Sequence, residues 1–136
     1  NLAAIVAMVA ALKEDLEKQE EHFQHVQNLE TAFLAKLEGV QYYLNRGEHH
    51  LPYVLNIGFP CQKNDLLLLR LDLAGISIST GSACTAGIVQ SSHVLEAMYG
   101  ANSERLKESV RISLSPENTV EDLHTLAKTL KEIIGG

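Results

Sequence analysis

Apolar residues crowd the first twelve positions of the chain and then thin to a helical rhythm. Residues 2–12 read LAAIVAMVAAL; beyond them Leu12, Leu16, Phe23, Val26, Phe33, Leu34 and Leu37 recur mostly at helical spacing among Lys, Glu and Gln. The pattern predicts one long helix over about residues 2–38, buried on most sides at its start and amphipathic afterwards. Gly39 stands where a C-terminal cap is expected. The opening run is too short for a bilayer span, which needs about 20 apolar residues. It also lacks the basic flank and cleavage region of a signal peptide.

The rest of the chain alternates shorter patterns. VQYYLN (40–45) and YVLNIGF (53–59) read as strands, separated by the polar RGEHHLP and stopped by Pro60. Asn64 or Asp65 is placed to cap LLLLRLDLA, a helix closed by Gly75. ISIS (76–79) alternates as a half-buried strand would, and STGSACTAG (79–87) is a loop. SSHVLEAMYG (91–100) has a serine cap and a terminal glycine, and SVRISL (109–114) alternates again. In SPENTVEDLHTLAKTLKEII, Thr119 is placed as N-cap with Asp122 three residues on. The order α, β, β, α, β, loop, α, β, α predicts an α+β two-layer sandwich, a small antiparallel or mixed sheet packed on helices. No repeat or internal linker breaks residues 1–136, so they are expected to form one domain.

Composition narrows the function classes. The net charge of −6 argues against a chain built to wrap nucleic acid, which needs clustered Lys and Arg. Two cysteines, Cys61 and Cys84, make no disulfide framework and are expected to stay reduced in a cytosol-like compartment. The first residue is Asn1, directly at the long helix, so an excised fragment or a processed product is expected.

Few residues carry candidate chemistry. Cys84 sits among small residues, with Gly81 and Gly87 on either side and no Lys, Arg or Asp close in sequence to tune its thiol. A free thiol titrates near about 8.5 and attacks only as thiolate. Two readings stand side by side: a sulfur carrier on a supple loop, or a small cysteine buried in a Gly-Ser turn, which composition favours. His93 lies nine positions after Cys84 without a recognisable orienting partner, and reads as a solvated or capping histidine. His22 and His25, three apart, share a helix face and could bind a metal, but with no Glu-x-x-His pair and no neighbouring Cys a solvated polar face is favoured; His49 and His50 sit in a turn, where adjacent residues rarely ligate one ion. Arg111 falls between Val110 and Ile112 in a strand, so it faces away from them, as a solvent residue or as a fork for a carboxylate. None of the seven lysines sits in an apolar stretch suited to a Schiff base. Phosphate-loop, dinucleotide-loop and nucleophile-elbow motifs are missing from the sequence.

Three stretches taken together change the balance. SISTGSACTAG, then SSHVLEAMYG, then SVRISLSPENTVEDL resemble the C-terminal part of group I cysteine desulfurases. Those enzymes belong to the class V aminotransferase group that uses pyridoxal 5'-phosphate. YVLNIGF resembles that family's strand, and LAAIVAMVAAL its helix leading into the small domain. The resemblance implies the C-terminal small domain of a fold-type I pyridoxal-phosphate enzyme. It implies that Cys84 takes the sulfur of L-cysteine as a persulfide, leaving L-alanine, and that Arg111 binds the substrate carboxylate. The persulfide would pass to a sulfur-acceptor protein, an iron–sulfur scaffold or a tRNA-thiolation partner. It further implies that the cofactor lysine and the homodimer interface belong to a large domain upstream, so this chain alone should neither hold the cofactor nor turn over. The parent is expected to be cytoplasmic, with no direct nucleic-acid or membrane partner. Gln90 and Ser91 stand where the family often has Glu-Pro, which bears on loop stiffness or acceptor preference. Without its partner domain the loop over residues 80–90 is expected to be weakly ordered. Two alternatives stay open: a non-enzymatic sulfur-relay or interaction domain, and another class V reaction such as that of a selenocysteine lyase or an aminotransferase.

Overall fold

The computed structural model describes residues 1–81 and 92–135. Cys84, Gly87 and the expectation of weak order around them fall on residues 82–91 and lie outside the described residues.

Helix α1 (Leu2–Lys36) opens on Asn1, whose side chain accepts from the Ala4 N–H. Its later half behaves as its pattern predicts. Val26, Leu29 and Phe33 turn inward, joined by Leu37 just past the helix end. Its first half does not. Residues 1–21 are exposed throughout, so the expected burial of the helix start is overturned. Leu2, Ile5, Val9, Leu12 and Leu16 form one apolar stripe in water. Apolar density is a local property, whereas burial needs a facing surface; among the described residues only Tyr53 and Pro116 approach, and only at the Leu12–Leu16 end, where both leucines stay exposed.

Strands β1 (Tyr43–Leu44), β2 (Val54–Gly58) and β3 (Ser109–Ser113) form an antiparallel sheet in the order β1-β2-β3. The architecture is the predicted α+β two-layer one, with the sheet antiparallel rather than mixed. Cross-strand partners share a face. Leu55 with Ile112, and Ile57 with Val110, therefore point into the core. They meet α1, α2 (Asn64–Leu73) and α5 (Val120–Gly135) there. Asn56 with Arg111, and Gly58 with Ser109 and Tyr43, point to the other face.

The predicted ISIS strand shrinks to one antiparallel bridge, Ser79 with Arg111. The reason is the end of α2. Gly75 adopts φ +78°, its N–H bonds the Asp72 carbonyl, and the Ile76 N–H turns back to Leu71 at 2.9 Å. This Schellman closure holds Ile76 against the helix it follows. The N-cap of α2 is Lys63, not the expected Asn64 or Asp65. Asn64 instead donates to the carbonyls of Leu106 and Ser109, tying α2 to β3. The capping box before α5 is formed: Asp122 accepts from the Thr119 N–H at 2.8 Å, and Thr119 Oγ1 accepts from the Asp122 N–H at 3.2 Å.

On the outer face sit α3 (His93–Tyr99), capped by Ser92, and the single turn α4 (Arg105–Glu108), which the sequence pattern does not mark. Among the described residues no helix is long and apolar enough to cross a membrane.

Candidate active site

Arg111 is placed by strand alternation. Val110 and Ile112 are buried in the core, so the arginine between them must leave by the outer face. Its backbone faces Ser79: the Arg111 N–H donates to the Ser79 carbonyl at 2.7 Å, and the Ser79 N–H returns the bond at 3.1 Å. The Ser79 hydroxyl also donates to the Arg111 carbonyl. The side chain is half-buried, and among the described residues no carboxylate pairs with it.

Arg111 lines a hollow of about 280 Å³. Asn45 and Asn56 form its floor, and Ser92, His93, Leu95 and Met98 bring α3 to its side. Gly81 completes it. Gly81 and Ser92 are the last and first described residues on either side of Cys84, so both ends of the segment that carries the thiol border the arginine. A planar fork of donors with no described carboxylate partner, in a hollow of amino-acid size with apolar walls, suits a small molecule bearing a carboxylate. His93 is the exposed first residue of α3 at the rim, and Ser92 rather than His93 caps the helix.

The floor is a hydrogen-bonded network that no sequence pattern announces. Arg105 lies between the rings of Tyr43 and Tyr99, 4.2 and 4.4 Å from their centroids, and donates to Asn45 Oδ1 at 3.1 Å. Asn45 Nδ2 donates to Asn56 Oδ1 and to Ser109 Oγ, each at 2.8 Å. Tyr43 donates to Glu108 Oε2, and Glu108 Oε1 accepts from the Cys61 N–H. Burial pushes the Tyr43 hydroxyl up to about 12; the Ser109 hydrogen bond works against this and Glu108 adds to it. One signal is present in the sequence: Asn56 stands between apolar Leu55 and Ile57, as Arg111 does between Val110 and Ile112. The pairing of the two strands is not readable there.

The other candidates are not brought to this hollow. His25 Nε2 lies 2.9 Å from the Asn118 carbonyl and ties α1 to the turn before α5. His50 approaches Glu30, a buried carboxylate on α1 that is paired with Arg46. Among the described residues no three His, Cys, Asp or Glu side chains gather as a metal site. Cys61 is exposed, at φ 65°. All seven lysines are exposed and none lines the hollow.

Comparison with known proteins agrees with this architecture. The family model described as aminotransferase class V matches residues 1–126. The chain belongs to that family. Within it, the chain is 42% identical to IscS 1 of Bacillus subtilis (strain 168), over 98% of this chain and 36% of that protein. It is 31% identical to the cysteine desulfurase IscS of Dictyoglomus turgidum (strain DSM 6724 / Z-1310), over 98% of this chain and 34% of that protein. Among solved structures it resembles a NifS-like protein with TM-score 0.82 and 27% identity, covering 99% of this chain and 34% of that one. A NifS-like protein from Rickettsia africae ESF-5 matches with TM-score 0.74 and 28% identity, over 88% of this chain and 31% of that one. The chain thus spans about a third of the length of the curated relatives it matches.

Proposed function

We propose that this chain is the C-terminal small domain of a cysteine desulfurase that converts L-cysteine to L-alanine and carries the sulfur on Cys84. The observation that supports this most is Arg111, with no carboxylate partner among the described residues, in a hollow bordered by both flanks of the Cys84 segment. Arg111 binds the substrate carboxylate through paired N–H donors and so orients the amino acid. The Cys84 thiolate takes the substrate sulfur. An S–S bond forms as the substrate C–S bond breaks, and the electron pair left on carbon is protonated to give alanine. The Gly- and Ser-rich sequence around Cys84 places nothing bulky in the way of a sulfur that must next reach an acceptor.

The cofactor of this reading is pyridoxal 5'-phosphate. The residues of this chain do not fit as its holders, because a Schiff-base lysine must stand inside the site and every lysine here is in water. The cofactor lysine is assigned to a large domain of the parent, together with the homodimer interface. The apolar stripe of α1 is the surface we assign to that domain; the length of the relatives beyond this chain and the exposure of Leu2 to Leu16 support this. A sulfur-acceptor protein, for iron–sulfur assembly or tRNA thiolation, is the partner, in the cytoplasm.

The test uses the full-length protein loaded with cofactor and given L-cysteine. Mass spectrometry without reductant should find one added sulfur on the peptide containing Cys84. Cys84→Ala should abolish sulfur release. Release at the unaltered rate in that variant would refute the reading and favour another class V reaction.

A further inference from the structure

The floor of the hollow has a direction. Arg105 can only donate, so the Asn45 atom it bonds must be the carbonyl oxygen. Asn45 therefore turns its amide nitrogen toward Ser109 and Asn56. Asn56 must answer with its own oxygen, which leaves its amide nitrogen on the opposite side of the group. Among the described residues nothing accepts from Asn56 Nδ2, and that nitrogen is not sealed from solvent. Asn56 lines the same hollow as Arg111.

The sheet brings the two side chains together. The backbone of Arg111 exchanges its hydrogen bonds with Ser79, and the Asn56 carbonyl accepts from the Asn45 N–H. Each residue thus points its polar backbone away from the other, although the two are direct partners in register. They form a non-hydrogen-bonded antiparallel pair, the arrangement in which facing side chains lie closest, with Cβ atoms about 4.5–5.5 Å apart.

We propose that Asn56 is a second carboxylate-recognising residue beside Arg111, its amide donor aimed at the substrate by a one-way hydrogen-bond chain from Arg105 through Asn45. Asn45 and Arg105 are positioning residues in this arrangement. The two tyrosine rings hold the Arg105 guanidinium at the head of the chain. Without that cation both amides could turn over, and Asn56 would present an oxygen to an anionic ligand. The inference rests on the carboxylate reading of Arg111 given above.

The experiment is equilibrium binding of L-alanine and of L-alaninamide to the cofactor-loaded, full-length protein by calorimetry. Asn56→Ala should weaken L-alanine about tenfold, the size of one hydrogen bond to a charged group, and weaken L-alaninamide less, because a neutral amide oxygen accepts more weakly than a carboxylate. Asn56→Asp keeps the acceptor that Asn45 needs but replaces the donor with a negative carboxylate beside Arg111, so it should weaken L-alanine more than Asn56→Ala does. Asn45→Asp can only accept, so it should turn Asn56 over and weaken L-alanine as well. In the Asn56→Ala background, Asn45→Asp should weaken L-alanine less than it does alone, leaving only the repulsion from its own charge, since Asn45 also lines the hollow. If it weakens binding there as much as it does alone, the chain does not act through Asn56 and the proposal fails. Equal loss for both ligands in Asn56→Ala would show a structural role and overturn it too. Arg111→Lys separates the two readings. If that variant loses L-alanine while both Asn56 variants keep it, only this inference falls. If Arg111→Lys also binds normally, the carboxylate reading itself falls.

Discussion

Adding one methyl group at Gly58 should loosen the floor of the site without touching a ligand. Gly58 pairs with Tyr43 across β1 and β2, and the tyrosine ring lies over the glycine. A Cβ built at Gly58 would stand 2.2 Å from Tyr43 Cε2 and Cζ and 2.5 Å from its hydroxyl oxygen. No real contact is that close, so in Gly58→Ala the ring must leave. Gly58 does not have positive φ, so the backbone accepts alanine and the effect is steric. Leaving costs Tyr43 its bond to the Glu108 carboxylate, about 1.5 kcal/mol at this half-exposed site. It also costs one of the two faces holding Arg105, about 0.5–1 kcal/mol. Residual crowding adds up to about 1 kcal/mol, and the gain from stiffening the unfolded chain offsets about 0.5 kcal/mol. The net is about 1.5–3 kcal/mol of local destabilisation, or an open population about 10- to 150-fold larger. Hydrogen exchange of the Asn45 amide, which is bonded to the Asn56 carbonyl across this pair, reads that opening directly. A second readout is the tyrosine titration. Burial holds Tyr43 up to about 12, so a displaced ring should titrate closer to 10. Because the raised value favours the protonated form, its stabilising effect is present below pH 10 and fades as pH rises through about 12. Unchanged exchange together with an unchanged titration would refute the account of Tyr43 as a support of Arg105.

Other expectations follow from the same geometry. Arg46→Ala should leave the buried Glu30 carboxylate with only His50 beside it and cost about 3 kcal/mol in urea unfolding, the low end for breaking a buried pair because His50 remains and Arg46 is partly exposed. Glu30→Gln added to it should restore part of the loss, and a neutral Arg46→Ala would contradict the pairing. Backbone and side-chain bonds from Thr119 hold the Asp122 carboxyl below its ordinary value, so its contribution to α5 should be full above pH 3.8 and fade as pH falls through the lowered value. Exchange of the first α5 amides in acid, compared with Asp122→Asn, checks this; identical acid profiles would count against it. Leu12→Asp should destabilise the full-length protein by about 2 kcal/mol if α1 is covered there, the worth of one buried leucine side chain. An unchanged unfolding midpoint would mean that the stripe remains in water.

Much of the molecule is legible in its residue order alone. Helix and strand periods, the Thr119–Asp122 box, Gly75 as a helix stop and the outward direction of Arg111 are local consequences of residue type and spacing. They depend on neighbours within about one helical turn or one pleat, which sequence order supplies. Cys84 stands out by its surroundings in sequence, and the resemblance to cysteine desulfurases rests on three stretches in order.

Three features are decided elsewhere. The opening run of α1 is apolar enough to be buried, yet it is in water because burial is a relation between two surfaces. ISIS alternates like a strand, yet the Schellman turn holds Ile76 and leaves Ser79 alone to meet Arg111. The chain Arg105–Asn45–Asn56 joins residues up to 60 positions apart, and no spacing rule connects them. A sequence by itself can say which face a residue takes and where an element stops, because those are set by covalent neighbours. Which polar groups meet on that face is set by strand register. Here the register places Asn56 beside Arg111, and a donor-only guanidinium at the far end determines which way its amide points.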